Sequence, residues 1–521
     1  MTSHWTYQTD LLMVIPEINL SIGFTLILVY CVLFTPSLKW RTQSLSFPSV
    51  PLLSYPSHCF GLLSLAFTVA LLLNNPIQSG LGFYNSFIVD DYTLFMKVFL
   101  LVSSMSAIGI TLEYIKKINN FEYIILILLS LVGMLCLISS NSLLSLYLAL
   151  ELQSLSFFVI AALRRNSEFS VESGLKYFIL GAVSTGIYLL GCGLIYGFTG
   201  TIIFTELSSL FASGALLTTT VGSLDSTAVL LGFVFIIVSF LFKVAAAPFH
   251  SWAPDVYEGA PSSVTAFFAI TPKIALFGVF SRLFIETMPD TQLGSLPVPF
   301  CGSIIILSSI ISILVGSFGA LSQKKVKRLL AYSSIANVGY MLVGVGCANM
   351  EGFSATLVNL VIYVVMTVQI FAILLVTLNR DFLFSLQRIK YISDFSILFQ
   401  SHPVLAFTLI VNLFSFAGIP PLAGFFAKYY ILSAAFNSSF YIAAWVGALA
   451  TVFSCIYYIR LIKILAFEST PNKVSKVFSF EGVPAFNAYL LSVTTLFLCL
   501  FAAYPSLLLT FVHKLALSLL A

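Results

Sequence analysis

Long apolar runs separated by short polar stretches dominate the chain. They fall near residues 11–35, 59–74, 92–110, 122–138, 141–162, 174–197, 228–247, 260–284, 299–320, 328–347, 352–378, 403–434, 439–462 and 486–511. Most approach the roughly 20 residues that carry a helix across a hydrocarbon core. They are too long for the short alternating strands of a barrel. Since lipid cannot satisfy backbone N–H and C=O groups, runs of this kind must close their hydrogen bonds internally. The pattern predicts an all-α, polytopic membrane protein of about fourteen transmembrane helices.

The polar positions support the same count. Lys39 and Arg41, Lys116 and Lys117, Arg164 and Arg165, Lys324 to Arg328, Arg380 with Arg388 and Lys390, and Arg460, Lys463, Lys473 and Lys476 all fall in odd-numbered connections, and even ones offer only Arg282. Basic connections stay on the cytoplasmic or matrix side, so both termini are expected to face the opposite compartment. Composition agrees: 59% of the 521 residues are hydrophobic and 8% charged, with a mean hydropathy of +1.04. The lipid bilayer is the implied surrounding. A net charge of +4, spread along the chain, gives no nucleic-acid footprint.

Cofactor chemistry finds little support. The eight cysteines stand singly, without CxxC spacing, and read as small core residues. Of the five histidines, His250 and His513 are read as lying near span ends or interiors, which leaves no facing pair for a haem. No metal site is expected. The opening MTSHWTYQTD has neither a signal peptide's basic start nor a transit peptide's arginines, so insertion without processing is expected.

Two spans are interrupted. Ala247-Pro248-Phe249-His250-Ser251-Trp252-Ala253-Pro254 ends the seventh, and Gly418-Ile419-Pro420-Pro421-Leu422-Ala423-Gly424 cuts the twelfth. Matching interruptions in two halves are a signature of transporters built from inverted repeats, with ion sites at the breaks. An ordinary proline kink is the plainer reading.

Five basic residues lie within spans: Lys97, Lys176, Lys243, Lys273 and Lys428. A lysine near the bilayer centre costs about 2.5–3.5 kcal/mol, so it persists when paired, hydrated or useful, and a desolvated amine can change charge state during function. Lys243 precedes the first break in a strongly apolar segment, and Lys273 follows Pro272, which frees a backbone carbonyl. Lys428 follows the second break, where a helix N-terminus would be a poor neighbour for a cation. Glu151, bracketed by apolar residues, calls for a cationic partner. These four are candidate proton-relay groups. His250, at a break where water can gather, is a fifth candidate, although a histidine capping free carbonyls is an equal reading. Lys97 and Lys176 read as anchors near span ends, and Glu17 lies within reach of an interface. Tyr332, Ser333, Ser334 and Asn337 could order water along the tenth span or simply hydrogen-bond between helices.

Several of these segments carry a family resemblance. LALELQSLSFFVIAA, GLKYFILGA, FLFKVAAAPFHSWAPDVYEGAPSSVTAF, KVKRLLAYSSIANVGY and FAGIPPLAGFFAKYYIL resemble subunit 2 of respiratory NADH:ubiquinone oxidoreductase (complex I), an antiporter-like membrane subunit, in its plant and algal mitochondrial form. The likeness runs from about residue 90 to 465. It implies three N-terminal helices (1–121), two inverted five-helix repeats (122–284 and 299–466), each with a broken helix, and a C-terminal transmembrane helix (467–521). It further implies proton translocation through Glu151, Lys243, Lys273 and Lys428, with Glu151 ion-paired to Lys243, in the mitochondrial inner membrane with both termini on the intermembrane-space side. NADH, FMN, iron–sulfur clusters and ubiquinone would belong to other subunits, leaving no cofactor here, and the partners would be other membrane-arm subunits. KVKR matches at Lys325 to Arg328, and Lys97 matches no family motif. A free-standing or Mrp-type cation/proton antiporter would use the same devices. A purely structural scaffold would have no use for four aligned charges.

Overall fold

Helices occupy nearly every apolar run, as expected where each backbone polar group must be satisfied within its own segment. The structure is a computed structural model. It describes residues 10–42, 51–77, 79–116, 121–164, 166–212, 222–287, 298–376, 378–380, 390–468, 478–480 and 482–520. Lys117, Arg165, Arg388, Lys473 and Lys476, counted above among the basic residues, lie outside them.

The helices run in order α1 (Ile15–Thr42), α2 (Pro51–Leu73), α3 (Asp91–Lys116), α4 (Glu122–Ser139), α5 (Leu143–Ala161), α6 (Glu168–Thr199), α7 (Phe204–Ala212), α8 (Gly222–Val244), α9 (Trp252–Gly259), α10 (Ser262–Thr287), α11 (Val298–Leu321), α12 (Val326–Gly346) and α13 (Met350–Leu374). The chain continues through α14 (Pro403–Ala417), α15 (Ala423–Asn437), α16 (Tyr441–Phe467), α17 (Ala485–Leu500) and α18 (Pro505–Leu520). Among the described residues, twelve helices are long and apolar enough to cross a membrane, or thirteen if α17 and α18 form one bent span. The interrupted pair α14–α15 corresponds to the remaining expected crossing. The run 486–511, expected as one span, is bent: α17 and α18 meet at 92°. Pro505 cannot extend the ladder of the helix before it, and Ala503 N–H closes the turn on the Leu500 carbonyl at 2.9 Å. A hairpin of Gly80–Gly82 with Phe87–Val89 and an antiparallel pairing of Leu378–Arg380 with Phe478–Phe480 are the named sheet pairings among the described residues.

Two compact units divide the chain, one comprising Met1–Phe240 with Thr271–Thr291 and the other Leu241–Ile270 with Gln292–Ala521. Small residues let helices meet within each. A Cβ on Gly133 of α4 would lie 2.9 Å from the Gln153 nitrogen of α5, and one on Gly316 of α11 would lie 2.6 Å from the Ala336 nitrogen of α12. Helices in lipid gain little from apolar burial against each other, so close backbone approach and van der Waals packing hold them. Buried hydroxyls mostly turn back on their own helix, as Ser130 does to the Ile127 carbonyl (2.7 Å) and Ser309 to that of Ile306 (2.6 Å). They are thereby satisfied without a partner helix.

The first unit contains two ion pairs that sequence reasoning missed. Lys97 Nζ of α3 meets Glu17 Oε1 of α1 at 2.5 Å, with side chains 3% and 4% exposed. Neither residue is the interfacial anchor its place in the sequence suggested. Arg282, counted above with the connections, lies inside α10, 1% exposed, with Nη2 at 2.7 Å from Asp90 Oδ2. Its guanidinium stands 5.7 Å from the Tyr92 ring centroid. Breaking a buried pair is far more costly than removing it whole. Glu17→Gln is therefore expected to lower stability by about 3–5 kcal/mol, read as a lower thermal midpoint. The double change Glu17→Leu with Lys97→Met should recover most of that loss.

Candidate proton-transfer site

The first interruption begins where α8 ends. Ala245 takes a left-handed φ of 64°, Ala246 N–H returns to the Leu241 carbonyl at 2.8 Å, and the helix stops with Lys243 in its last turn. The indole of Trp252, opening α9, donates to the Phe242 carbonyl at 3.0 Å and stacks on the Phe242 ring. The same Phe242 carbonyl accepts the Ala245 N–H at 3.0 Å, so the indole adds a second donor at the helix end. The Lys243 stem is half-buried and its ammonium nitrogen enclosed. His250 sits within the interruption, half-buried. Farther on, Pro272 leaves the Phe268 carbonyl without its helical donor, and the Tyr257 hydroxyl approaches that carbonyl at 3.4 Å. Lys273, next to Pro272, is 5% exposed in a helix buried along its whole apolar window.

The second interruption holds its lysine differently from the sequence expectation. Gly418 ends α14 with φ 84°, and the Gly418 and Ile419 N–H groups both return to the Phe414 carbonyl. Across the break, Gly424 N–H donates to Ser415 Oγ at 3.2 Å. Lys428 does not face an unfavourable helix N-terminus. Its Nζ reaches back to the C-terminal end of α14 and donates to the carbonyls of Phe416 (2.9 Å) and Ala417 (3.2 Å). Free carbonyls and the negative end of the helix dipole favour a cation there. The Tyr340 ring lies 5.7 Å from the ammonium. Ser317, Ser333, Asn337, Tyr457 and Tyr458 help line a cavity of about 10 Å³ beside Lys428, roughly the space one water needs.

At its start, α12 carries a charge cluster that binds α9. Lys325 pairs with Glu258, Arg328 lies 3.4 Å from Glu258 and 3.5 Å from Asp255, and Lys327 Nζ donates to the Ala260 carbonyl at 2.8 Å. The PDVYEGAP and KVKR strings are therefore two sides of one contact, which neither string reveals alone.

Glu151 is not fully enclosed within the chain. It is half-buried on α5, accepts from Ser154 Oγ at 3.3 Å, and shares a helical face with Leu144, Leu148 and Leu155, each more than half exposed. Glu151 and Lys273 belong to the first unit, Lys243, His250 and Lys428 to the second. Lys176 is exposed and paired with Glu172 on its own helix at 2.6 Å. His58, passed over among the histidines, is buried in α2, bonded to the Ser54 carbonyl at 2.6 Å and stacked on Tyr123. Sequence reasoning also missed the buried tyrosines 257, 340, 363, 457 and 458, all in the second unit. Their signal was faint: a phenol among phenylalanines in an apolar run looks like core.

Comparisons with known proteins identify the family. Residues 140–454 match the family described as NADH:quinone oxidoreductase/Mrp antiporter, TM. NADH-ubiquinone oxidoreductase chain 2 of Marchantia polymorpha is 42% identical over 98% of this chain and 99% of its own length. NADH-quinone oxidoreductase subunit N of Parvibaculum lavamentivorans is 36% identical over 95% of each chain. A chain in respiratory complex I from Thermus thermophilus superposes with a TM-score of 0.75 at 26% identity, over 95% of this chain and 98% of that one. On these matches the chain belongs to the NADH:quinone oxidoreductase/Mrp antiporter family, alongside chain 2 and subunit N proteins.

Proposed function

We propose that this chain moves protons through the membrane arm of an NADH:ubiquinone oxidoreductase, with Lys428, Lys273, Lys243 and Glu151 as the groups that hold and release them and His250 as an accessory. The observation that carries the reading is Lys428, an ammonium buried at a helix break and held, among the described residues, by two carbonyls and a tyrosine face, with room for about one water beside it. Carbonyl and cation–π contacts stabilise the charged form without supplying a counter-charge. Charge arriving or leaving nearby would therefore shift the lysine between its two states. Lys243, at the end of a broken helix, is similarly placed to respond.

Glu151 extends the row toward a neighbour. A half-buried carboxylate among exposed leucines is costly against lipid, so its face is best matched to another membrane-arm subunit. Under this reading the repeats span 122–284 and 299–466. The chain sits in the mitochondrial inner membrane with both termini toward the intermembrane space. Electron transfer, with its flavin, iron–sulfur clusters and quinone, takes place in other subunits.

The test is proton pumping by the assembled complex in sealed vesicles, with NADH oxidation followed in parallel, for Lys243→Ala and Lys243→Arg. Alanine is expected to slow coupled pumping about tenfold or more, the scale of a lost proton-transfer group. Arginine, which keeps the charge but cannot release its proton, should be nearly as poor. Wild-type pumping in both variants would defeat the reading, and sodium-dependent transport by the isolated chain would favour an antiporter instead.

A further inference from the structure

Cations from three separate segments of the second unit converge where α11 ends and α12 begins. The short connection between these helices pairs with the segment at 390–392: Val326 N–H donates to the Lys390 carbonyl at 3.0 Å and Ile392 N–H to that of Lys324 at 3.1 Å. Arg460 of α16 crosses to the same place, its Nη1 donating to the Leu321 carbonyl at 3.3 Å, and Lys463 follows it by one turn. Lys324, Lys390, Arg460 and Lys463 are all exposed. Among the described residues none of the four is in an ion pair, whereas Lys325 and Arg328 beside them are matched by Glu258 and Asp255. The nearby carboxylates do not neutralise the group. Asp394 Oδ2 accepts the N–H groups of Lys390 and Tyr391, each at 2.9 Å, and Glu468 lies past the end of α16.

An apolar seam leads away from these cations between α11 and α16, which pack against each other. On its outer side the rings of Phe318 and Phe453 stand 4.9 Å apart, and Phe318 and Ile456 are 49% and 52% exposed. Phe453, Ile456, Arg460, Lys463 and Phe467 recur at intervals of three and four residues, which places them on one face of α16. That face is therefore apolar along the seam and basic at its mouth. Orientation in the membrane needs only that basic residues lie somewhere in the connection. Convergence of three segments on one apolar seam is a stricter arrangement, because like charges held together repel and attract an anion. A guanidinium binds phosphate in bidentate fashion and an ammonium as a point charge, and basic pockets between membrane helices fit anionic headgroups. Phe318, Phe453 and Ile456 offer acyl chains a surface directly beneath.

We propose that this seam holds an anionic phospholipid, its phosphate bound by Arg460, Lys463, Lys324 and Lys390 and its chains laid along Phe318, Phe453 and Ile456. The test uses the assembled complex in vesicles of phosphatidylcholine and phosphatidylglycerol, with a trace of either lipid carrying a photoreactive acyl chain. After illumination, crosslinked peptides of this chain are mapped, and NADH oxidation in the same sample reports that the complex is intact. Peptides covering 314–328 and 453–467 are expected to be labelled by phosphatidylglycerol in excess over phosphatidylcholine. Arg460→Gln and Lys463→Gln should each lower that labelling about fivefold, the scale of one cation near an anionic headgroup, and Arg460→Lys should keep most of it. Lys463, whose ammonium has no bonded partner among the described residues, carries the test alone if Arg460→Gln does not assemble. Equal labelling by the two lipids, or labelling that the glutamine variants leave unchanged, makes the seam ordinary lipid contact and overturns the proposal. Absence of label from both lipids shows that another subunit covers the seam and overturns it as well.

Discussion

Replacing Lys428 by arginine is expected to leave the complex assembled and its proton pumping reduced about tenfold or more. Arginine can donate to the same Phe416 and Ala417 carbonyls that Lys428 caps, so the end of α14 keeps a partner. The guanidinium does not deprotonate in proteins, so the site would be locked in its charged form. A structural cap would tolerate the exchange; a relay would not. Lys428→Met separates the roles differently, since it strands the Phe416 carbonyl in an apolar interior, at about 1–3 kcal/mol, leaves that of Ala417 with the weak Cys455 Sγ donor at 3.5 Å, and should lower assembly as well as pumping. Comparing assembly yield with vesicle pumping for the two variants distinguishes a lost cap from a lost proton carrier.

The second large effect is expected at Gly424, where α15 starts against the end of α14. A Cβ there would stand 1.9 Å from the Ser415 carbonyl oxygen, and that neighbour is backbone. The helix halves must then separate, which breaks the Gly424 N–H bond to Ser415 Oγ and displaces Lys428 one turn later. Gly424→Ala is expected to cost more than about 4 kcal/mol, a loss seen where substitution disrupts a packed backbone contact. It should appear as loss of assembled complex. Gly418→Ala is the milder counterpart: its Cβ would meet the flexible Lys428 side chain at 3.2 Å, but φ of 84° remains unfavourable for alanine. A complex carrying Gly418→Ala should assemble with a lower thermal midpoint and slower pumping.

Much of this architecture was legible because lipid leaves the chain few choices. Apolar length and the placement of basic residues gave the all-helical fold, and the prolines of the two interruptions located the breaks. Energetic cost singled out Lys243, Lys273 and Lys428. What sequence could not supply was pairing between distant segments. Glu17 and Lys97 each looked like a lone charge near an interface, yet 80 residues apart they close one buried pair. Lys428 was read against the helix it belongs to, while its contacts come from the helix before it. The bend in the C-terminal run was hidden because hydropathy carries no direction, and the proline that turns it is a weak mark in an apolar stretch. Glu151 read as buried because its sequence neighbours are apolar. Leu144, Leu148 and Leu155 on its helical face are exposed on the chain, and a pattern of hydrophobic residues does not distinguish a core from a subunit interface.

The most direct test of the central claim is the number of protons moved per NADH by sealed vesicles carrying the assembled complex with both Lys243→Arg and Lys428→Arg. If this chain carries protons through those amines, fewer protons move per NADH, or coupled turnover collapses, in a complex that still assembles. An unchanged proton count at an unchanged coupled rate would contradict the account.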